Sequence, residues 1–197
     1  MKIGILGGSF DPIHIGHLRL AIEAKEQLKL EKVYLETSYL SPFKERDFAS
    51  PELRLEMVRS SIEELQGIEL GTYDINKREK SYSINMLRHY STIHKDIFLI
   101  MGSDTLSGFP DWKQPEEIIR IATLAVATRQ NENIKTIIKN FPKHWNNKIL
   151  TFPFPVLEVS STMIRKKILK NESVDYLTPQ PVIGIIKKNS LYTGGKN

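Results

Sequence analysis

Residues 97–101 (IFLIM) are apolar without a break, and residues 123–128 (TLAVAT) nearly so. A strand with one wet face alternates apolar and polar side chains. A short unbroken apolar run is what a strand covered on both faces carries. Four further segments read as strands: 2–7 (KIGILG), 32–37 (KVYLET), 68–75 (IELGTYDI) and 149–154 (ILTFPF). Between them lie stretches with apolar residues near the 3.6 period, such as 16–29 with Leu18, Ala21, Ile22, Ala24 and Leu28. Residues 51–65 repeat the pattern with Leu53, Met57, Val58, Ile62 and Leu65. Segments 82–94, 134–140, 160–170 and 181–189, and a short one opened by Pro115, also read as helices. Strands alternating with helices predict one α/β domain spanning residues 1–197. Its core is a Rossmann-like doubly wound parallel sheet with helices on both faces and a ligand crevice at the carboxyl ends of the strands.

Composition narrows the chemistry. Cysteine is absent, which excludes disulfides, thiolate metal sites and a thiol nucleophile and suits a reducing cytoplasm. No apolar run approaches the ~18 residues of a membrane helix, so no membrane partner is expected. Residues 139–197 hold 10 basic and 3 acidic side chains, against 18 and 20 in the remainder. Such a bias suits an anionic partner such as a nucleotide, or simply a basic surface.

The turn after the first predicted strand is the most informative segment: Gly7-Gly8-Ser9-Phe10-Asp11-Pro12-Ile13-His14-Ile15-Gly16-His17. Paired glycines let backbone approach a bulky anion, and the helix that follows offers free N–H groups and a partial positive charge. The segment is neither a G-x-G-x-x-G fingerprint nor a P-loop. His14 and His17, three apart at the helix start, can face one way and donate to phosphate oxygens whose charge grows during reaction. A pair of ordinary helix-start histidines and a two-histidine metal site are the alternatives. A second anion-binding candidate is Ser160-Ser161-Thr162-Met163-Ile164-Arg165-Lys166. Its hydroxyls either cap a helix or sit beside a phosphate, with Arg165 four residues after Ser161 on the same face. His89, His94 and His144 read as surface residues with no evident partner.

Together these segments resemble the nucleotidylyltransferase superfamily, marked by an early H-x-G-H loop and a late S-[ST]-T-x-[IL]-R helix start. Within it the chain is similar to the bacterial nicotinate-nucleotide adenylyltransferases. Gly7 to His17 match their opening G-G-[ST]-F-D-P-[IV]-H-x-G-H throughout, and Ser160 to Arg165 match the late motif. Gly102-Ser103-Asp104, Trp112, Lys44 and Leu191-Tyr192 fit further family positions. Residues 77–87 depart from the family's R-x-G-x-S-Y-[ST]-x-D-T-L, with Glu79 for glycine, Asn85 for aspartate and Met86 for threonine.

The resemblance implies transfer of the adenylyl group of ATP to nicotinate mononucleotide, giving deamido-NAD and pyrophosphate. It implies that His14, His17, Lys44 and Arg165 contact phosphates, with Ser161 and Thr162 beside the β- and γ-phosphates. Gly7, Gly8, Ser9 and Phe10 would line the junction. Asp104 would sit near a ribose, Trp112 against the nicotinate ring, and the backbone at Tyr82 and Ser83 would receive the nicotinate carboxylate. Mg²⁺ would arrive with ATP, held by phosphates and water. Small-molecule substrates are the expected partners, with no nucleic acid; a homo-oligomer is compatible with the chain. Competing readings are a relative acting on phosphopantetheine or, with CTP, on a choline- or glycerol-type phosphate, and a nucleotide- or RNA-binding protein without catalysis.

Overall fold

A computed structural model of the chain describes residues 1–42, 48–129, 133–155 and 157–194. In chain order its elements are β1 (Lys2–Gly8), α1 (Ile15–Gln27), β2 (Lys32–Thr37), α2 (Pro51–Ile62) and β3 (Ile68–Gly71). Next come α3 (Tyr73–Lys77), α4 (Ser83–Ser91), β4 (Asp96–Gly102), α5 (Ser103–Ser107) and α6 (Pro115–Ile121). The remainder are β5 (Ala122–Thr128), α7 (Ile134–Ile138), β6 (Ile149–Pro153), α8 (Ser161–Leu169) and α9 (Gln180–Lys188). The strands form a six-stranded parallel sheet in the order β3-β2-β1-β4-β5-β6 with helices around it, the expected α/β Rossmann-like fold. The strand order reverses at β1, which is what doubly wound means in topological terms.

The described chain divides into two compact units, each assembled from three separate stretches. The first comprises Met1–Gly7, Leu20–Tyr34 and Tyr82–Val156. Its centre is the two apolar runs: β4 and β5 pair in parallel register with Leu99 beside Leu124 and Met101 beside Val126. Ile97, Leu99, Ile100, Met101 and Leu124 to Ala127 are all buried. Burial of successive residues, rather than alternate ones, is the mark of a strand covered on both faces.

The second unit comprises Gly8–Arg19, Leu35–Ser81 and Leu157–Asn197. Here α2 starts as its sequence prescribes: Ser50 Oγ accepts the Leu53 N–H at 3.3 Å and Pro51 takes the first helical position. The buried face of α2 departs from the expected stripe. It runs through Arg54, Met57, Val58 and Ile62, with a fully buried arginine in place of Leu53.

The predicted strand 68–75 is also corrected: β3 stops at Gly71 and residues 73–77 turn into α3. The cause is Glu36, buried in β2. Its Oε1 accepts the Asp74 N–H at 3.0 Å, capping a helix start that Thr72 leaves without a side-chain acceptor. Burial raises the pKa of Asp74 to about 6, partly opposed by a hydrogen bond with Ser81. His144 is not without a partner either: its Nε2 lies 2.9 Å from Glu116 Oε2.

Candidate active site

His14 is the residue before α1, and His17 is third inside it. The His14 carbonyl accepts the N–H groups of His17 (3.0 Å) and Leu18 (3.3 Å), opening the helix. In return the His14 N–H donates to His17 Nδ1 at 3.3 Å. This is the reciprocal logic of a capping box, with an imidazole in the place usually taken by a carboxylate or amide. It sets a tautomer: His17 accepts at Nδ1, so in the neutral ring the proton sits on Nε2. The two rings stack with centroids 3.6 Å apart and 22° between planes, while the edge of Phe10 meets His17 at 5.0 Å.

His14 is 7% exposed, and burial lowers its pKa to about 4. It is therefore a neutral imidazole at neutral pH. Its Nδ1 is buried with no hydrogen-bond partner among the described residues. Gly16 is what admits the ring. A Cβ there would stand 3.1 Å from His14 Nδ1 and 3.0 Å from Val159 Cγ1. Gly8 serves Phe10 in the same way, since a Cβ on it would meet the Phe10 ring at 3.0 Å. Phe10 itself lies at φ 49°, in the left-handed region that bulky side chains avoid, yet is 2% exposed.

The loop from Ser9 to His14 is gripped carbonyl by carbonyl. Arg54 Nη1 donates to Ser9 O at 2.8 Å, and Arg165 Nη1 to Asp11 O at 2.6 Å. Ser161 Oγ donates to Pro12 O at 2.8 Å, and Thr178 Oγ1 to Ile13 O at 2.7 Å. Arg54 goes on to Ser38 O (2.6 Å), Tyr39 O (2.9 Å) and Ala49 O (3.2 Å). The Asp11 carboxylate, 1% exposed, is enclosed by the N–H groups of Phe48 (2.7 Å) and Ala49 (3.2 Å) and the Tyr192 hydroxyl (2.7 Å). With its carbonyls occupied this way, the loop is held in a single path.

The late motif is built as expected at its start. Ser160 caps α8, accepting the Met163 N–H at 3.1 Å. Ser161 gives its hydroxyl proton to Pro12, so it holds the histidine loop as well as opening the helix. Arg165 lies over the Phe48 ring at 4.3 Å and donates to Thr162 Oγ1 at 3.1 Å. A groove of about 410 Å³ beside this helix start is lined by Ser160, Thr162, Lys166, Lys167 and Lys170, among others. The late positive charge is thus displayed next to the anion-binding candidate.

His14, His17, Gly8, Ser9, Phe10, Ser161, Thr162 and Arg165 accordingly belong to one compact unit. Lys44 lies outside the described residues. Gly7, Tyr82, Ser83, Asp104 and Trp112 belong to the other unit. Gly7 is exposed, with open space where a Cβ would stand. Tyr82 precedes α4 and Ser83 opens it, and the Lys113 ammonium sits 4.2 Å from the centre of the Tyr82 ring. Asp104 is exposed in α5 and lies 3.5 Å from Arg129. Trp112 is half-buried, its ring 5.6 Å from that of the fully buried Phe109.

Residues 5–167 match the cytidylyltransferase-like family model. A probable nicotinate-nucleotide adenylyltransferase of Clostridium botulinum (strain Alaska E43 / Type E3) is 38% identical, over 97% of this chain and 98% of that protein. The chain belongs to the nicotinate-nucleotide adenylyltransferase family. A second relative of the same description, from Dictyoglomus thermophilum, is 36% identical over 98% of this chain and 100% of its own length. Among solved structures, the nicotinic acid mononucleotide adenylyltransferase of Plasmodium falciparum complexed with NaAD superposes with a TM-score of 0.78. That match covers 97% of each chain at 20% identity, so it speaks for the fold. For this family member, sequence reasoning passed over Arg54, Asp11 and Thr178 and left Tyr192 without a role. Arg54 had a signal: it falls on the same helix face as Val58 and Ile62, four and eight residues on.

Proposed function

We propose that this chain transfers the adenylyl group of ATP to nicotinate mononucleotide, releasing pyrophosphate and forming deamido-NAD. The observation that carries this reading is the clamped Ser9–His17 loop, with two stacked imidazoles and with Arg165 bonded to Asp11 within the same loop. The relatives named for this reaction match the chain from end to end.

The phosphate of nicotinate mononucleotide attacks the α-phosphorus of ATP in line, an O–P bond forms, and the bond to pyrophosphate breaks. A phosphate monoester is already an anionic nucleophile, so no strong base is required. The chain's contribution is positioning and charge stabilisation. His17 donates from Nε2 and His14 from a neutral ring to phosphate oxygens. The backbone at Gly8, Ser9 and Phe10 lines the junction. Arg165, Thr162 and the first turn of α8, Ser161 included, hold the β- and γ-phosphates.

Mg²⁺ enters as part of the MgATP substrate. The donor set supports that reading: the one carboxylate of the loop, Asp11, is already engaged by Phe48, Ala49 and Tyr192, leaving imidazoles rather than acids as the loop's side-chain donors. Asp104 serves a ribose and Trp112 stacks on the nicotinate ring. The nicotinate carboxylate meets the first backbone N–H groups of α4 at Tyr82 and Ser83. Lys113 beside Tyr82 adds positive charge there, which favours the acid over the amide.

The test is pyrophosphate release by purified protein with ATP, Mg²⁺ and nicotinate mononucleotide. Turnover is expected with this acceptor. Turnover only with phosphopantetheine would reassign the substrate, and none with any acceptor would leave a binding protein.

A further inference from the structure

We propose that Tyr192 is a positioning residue for Arg165 and acts through Asp11, an inference that rests on the functional reading above. Tyr192 lies beyond α9, 181 positions from Asp11 in the sequence. The chain returns to the loop by a turn in which Ser190 has φ 49° and Tyr192 φ 65°. A tyrosine is disfavoured in that conformation, so the surrounding structure must hold it there. Leu191, 4% exposed, anchors the turn, and its N–H donates to Ile186 O at 3.0 Å. The strained residue delivers one group to one place: its hydroxyl, 2.7 Å from Asp11 Oδ1. Burial and the negative charge of Asp11 push the pKa of the phenol up, so it stays protonated and donates.

Asp11 holds Arg165 from two sides. Its carbonyl accepts from Arg165 Nη1 at 2.6 Å. Its Oδ2 accepts the Phe48 N–H at 2.7 Å, and the ring of that same Phe48 supports the Arg165 guanidinium at 4.3 Å. Oδ1 has two donors, the tyrosine hydroxyl and the Ala49 N–H, the latter longer at 3.2 Å. The hydroxyl is thus the short, charge-assisted bond that stops the carboxylate from rotating away from Phe48. Without it the guanidinium keeps its charge but loses its fixed seat. A guanidinium out of place weakens transition-state contacts more than ground-state binding.

The experiment is a double-mutant cycle in the full chain with Tyr192→Phe and Arg165→Ala, and with Arg165→Lys as a second background should the alanine variant fold poorly. Tyr192→Phe alone should lower kcat about tenfold, a loss typical of a misplaced group, and leave KM for nicotinate mononucleotide within about twofold. In either arginine background the same change should cost less than about twofold, because the residue it acts through is gone. An undiminished loss in those backgrounds, or unchanged kcat in Tyr192→Phe, overturns the proposal. If the parent protein shows no adenylyl transfer, the functional reading fails separately. The cycle is then read by calorimetry with pyrophosphate as the probe: Tyr192→Phe must weaken binding in the parent and not in the arginine variants.

Discussion

His14 and His17 lie ring on ring, 3.6 Å between centroids, with the amide of the first bonded to Nδ1 of the second. Two imidazoles this close cannot both carry charge cheaply. Burial keeps His14 neutral. His17 accepts at Nδ1, so its neutral ring carries the proton on Nε2.

Replacing His17 by alanine should lower kcat by about 10²–10³ while ATP dissociation changes by less than about threefold, as for loss of a donor aimed at developing charge. Steady-state kinetics beside equilibrium titration with ATP checks this. Equal turnover in variant and parent removes His17 from the chemistry.

Gly16→Ala places a methyl 3.1 Å from the His14 ring and 3.0 Å from Val159 Cγ1. Backbone and ring must part by a few tenths of an ångström. The expected result is a kcat roughly tenfold lower with a Tm only a few degrees lower, since a small misalignment costs catalysis more than stability. Thermal melts and initial rates on the same preparation separate the two effects.

The pH dependence follows from His14. Its folded pKa of about 4 lies below the free value of 6.5, so between them the unfolded chain binds more protons. Stability from this group is complete above pH 6.5 and is lost as pH falls toward 4. Asp74 works oppositely: its folded pKa of about 6 exceeds the free value of 3.8, so its contribution falls as pH rises between them. His14→Gln should therefore show a smaller Tm drop from pH 7 to pH 5 than the parent. NMR titration of the His14 Cε1 proton should show only about a tenth of the full protonation shift by pH 5, with the midpoint near pH 4.

Arg54→Met removes the shared donor of the Ser9, Ser38, Tyr39 and Ala49 carbonyls. Each buried carbonyl left without a donor costs about 1–3 kcal/mol. Urea unfolding should register it. Arg54→Lys should recover only part, because an ammonium cannot reproduce the planar fork.

Trp112→Ala should raise KM for nicotinate mononucleotide about tenfold or more, as for loss of an aromatic stacking partner, and leave KM for ATP nearly unchanged. A parallel rise in both would mean that the indole supports the fold rather than one substrate.

Much of this was legible in the residues. The apolar runs at 97–101 and 123–128 became β4 and β5, buried on successive residues, and Ser50, Pro51 and Ser160 opened the helices they were expected to open. These are local matters: periodicity, a capping oxygen and a ring that presets φ act within a few residues, so the order of residues states them. The H-x-G-H loop was legible as a motif, but the close approach of His14 and Val159 that Gly16 permits was not. Nor was what the loop is fastened to. Arg54 bonds Ser9 from 45 positions away, Ser161 bonds Pro12 from 149, and Tyr192 reaches Asp11 from 181. Such bonds leave no periodic trace, because any polar residue of suitable length could supply them. The same holds for Glu36, whose buried carboxylate turned the end of a predicted strand into α3. Local propensity determined most of the elements and marked the motif that opens α1. Long-range packing alone decided which side chains hold that place still.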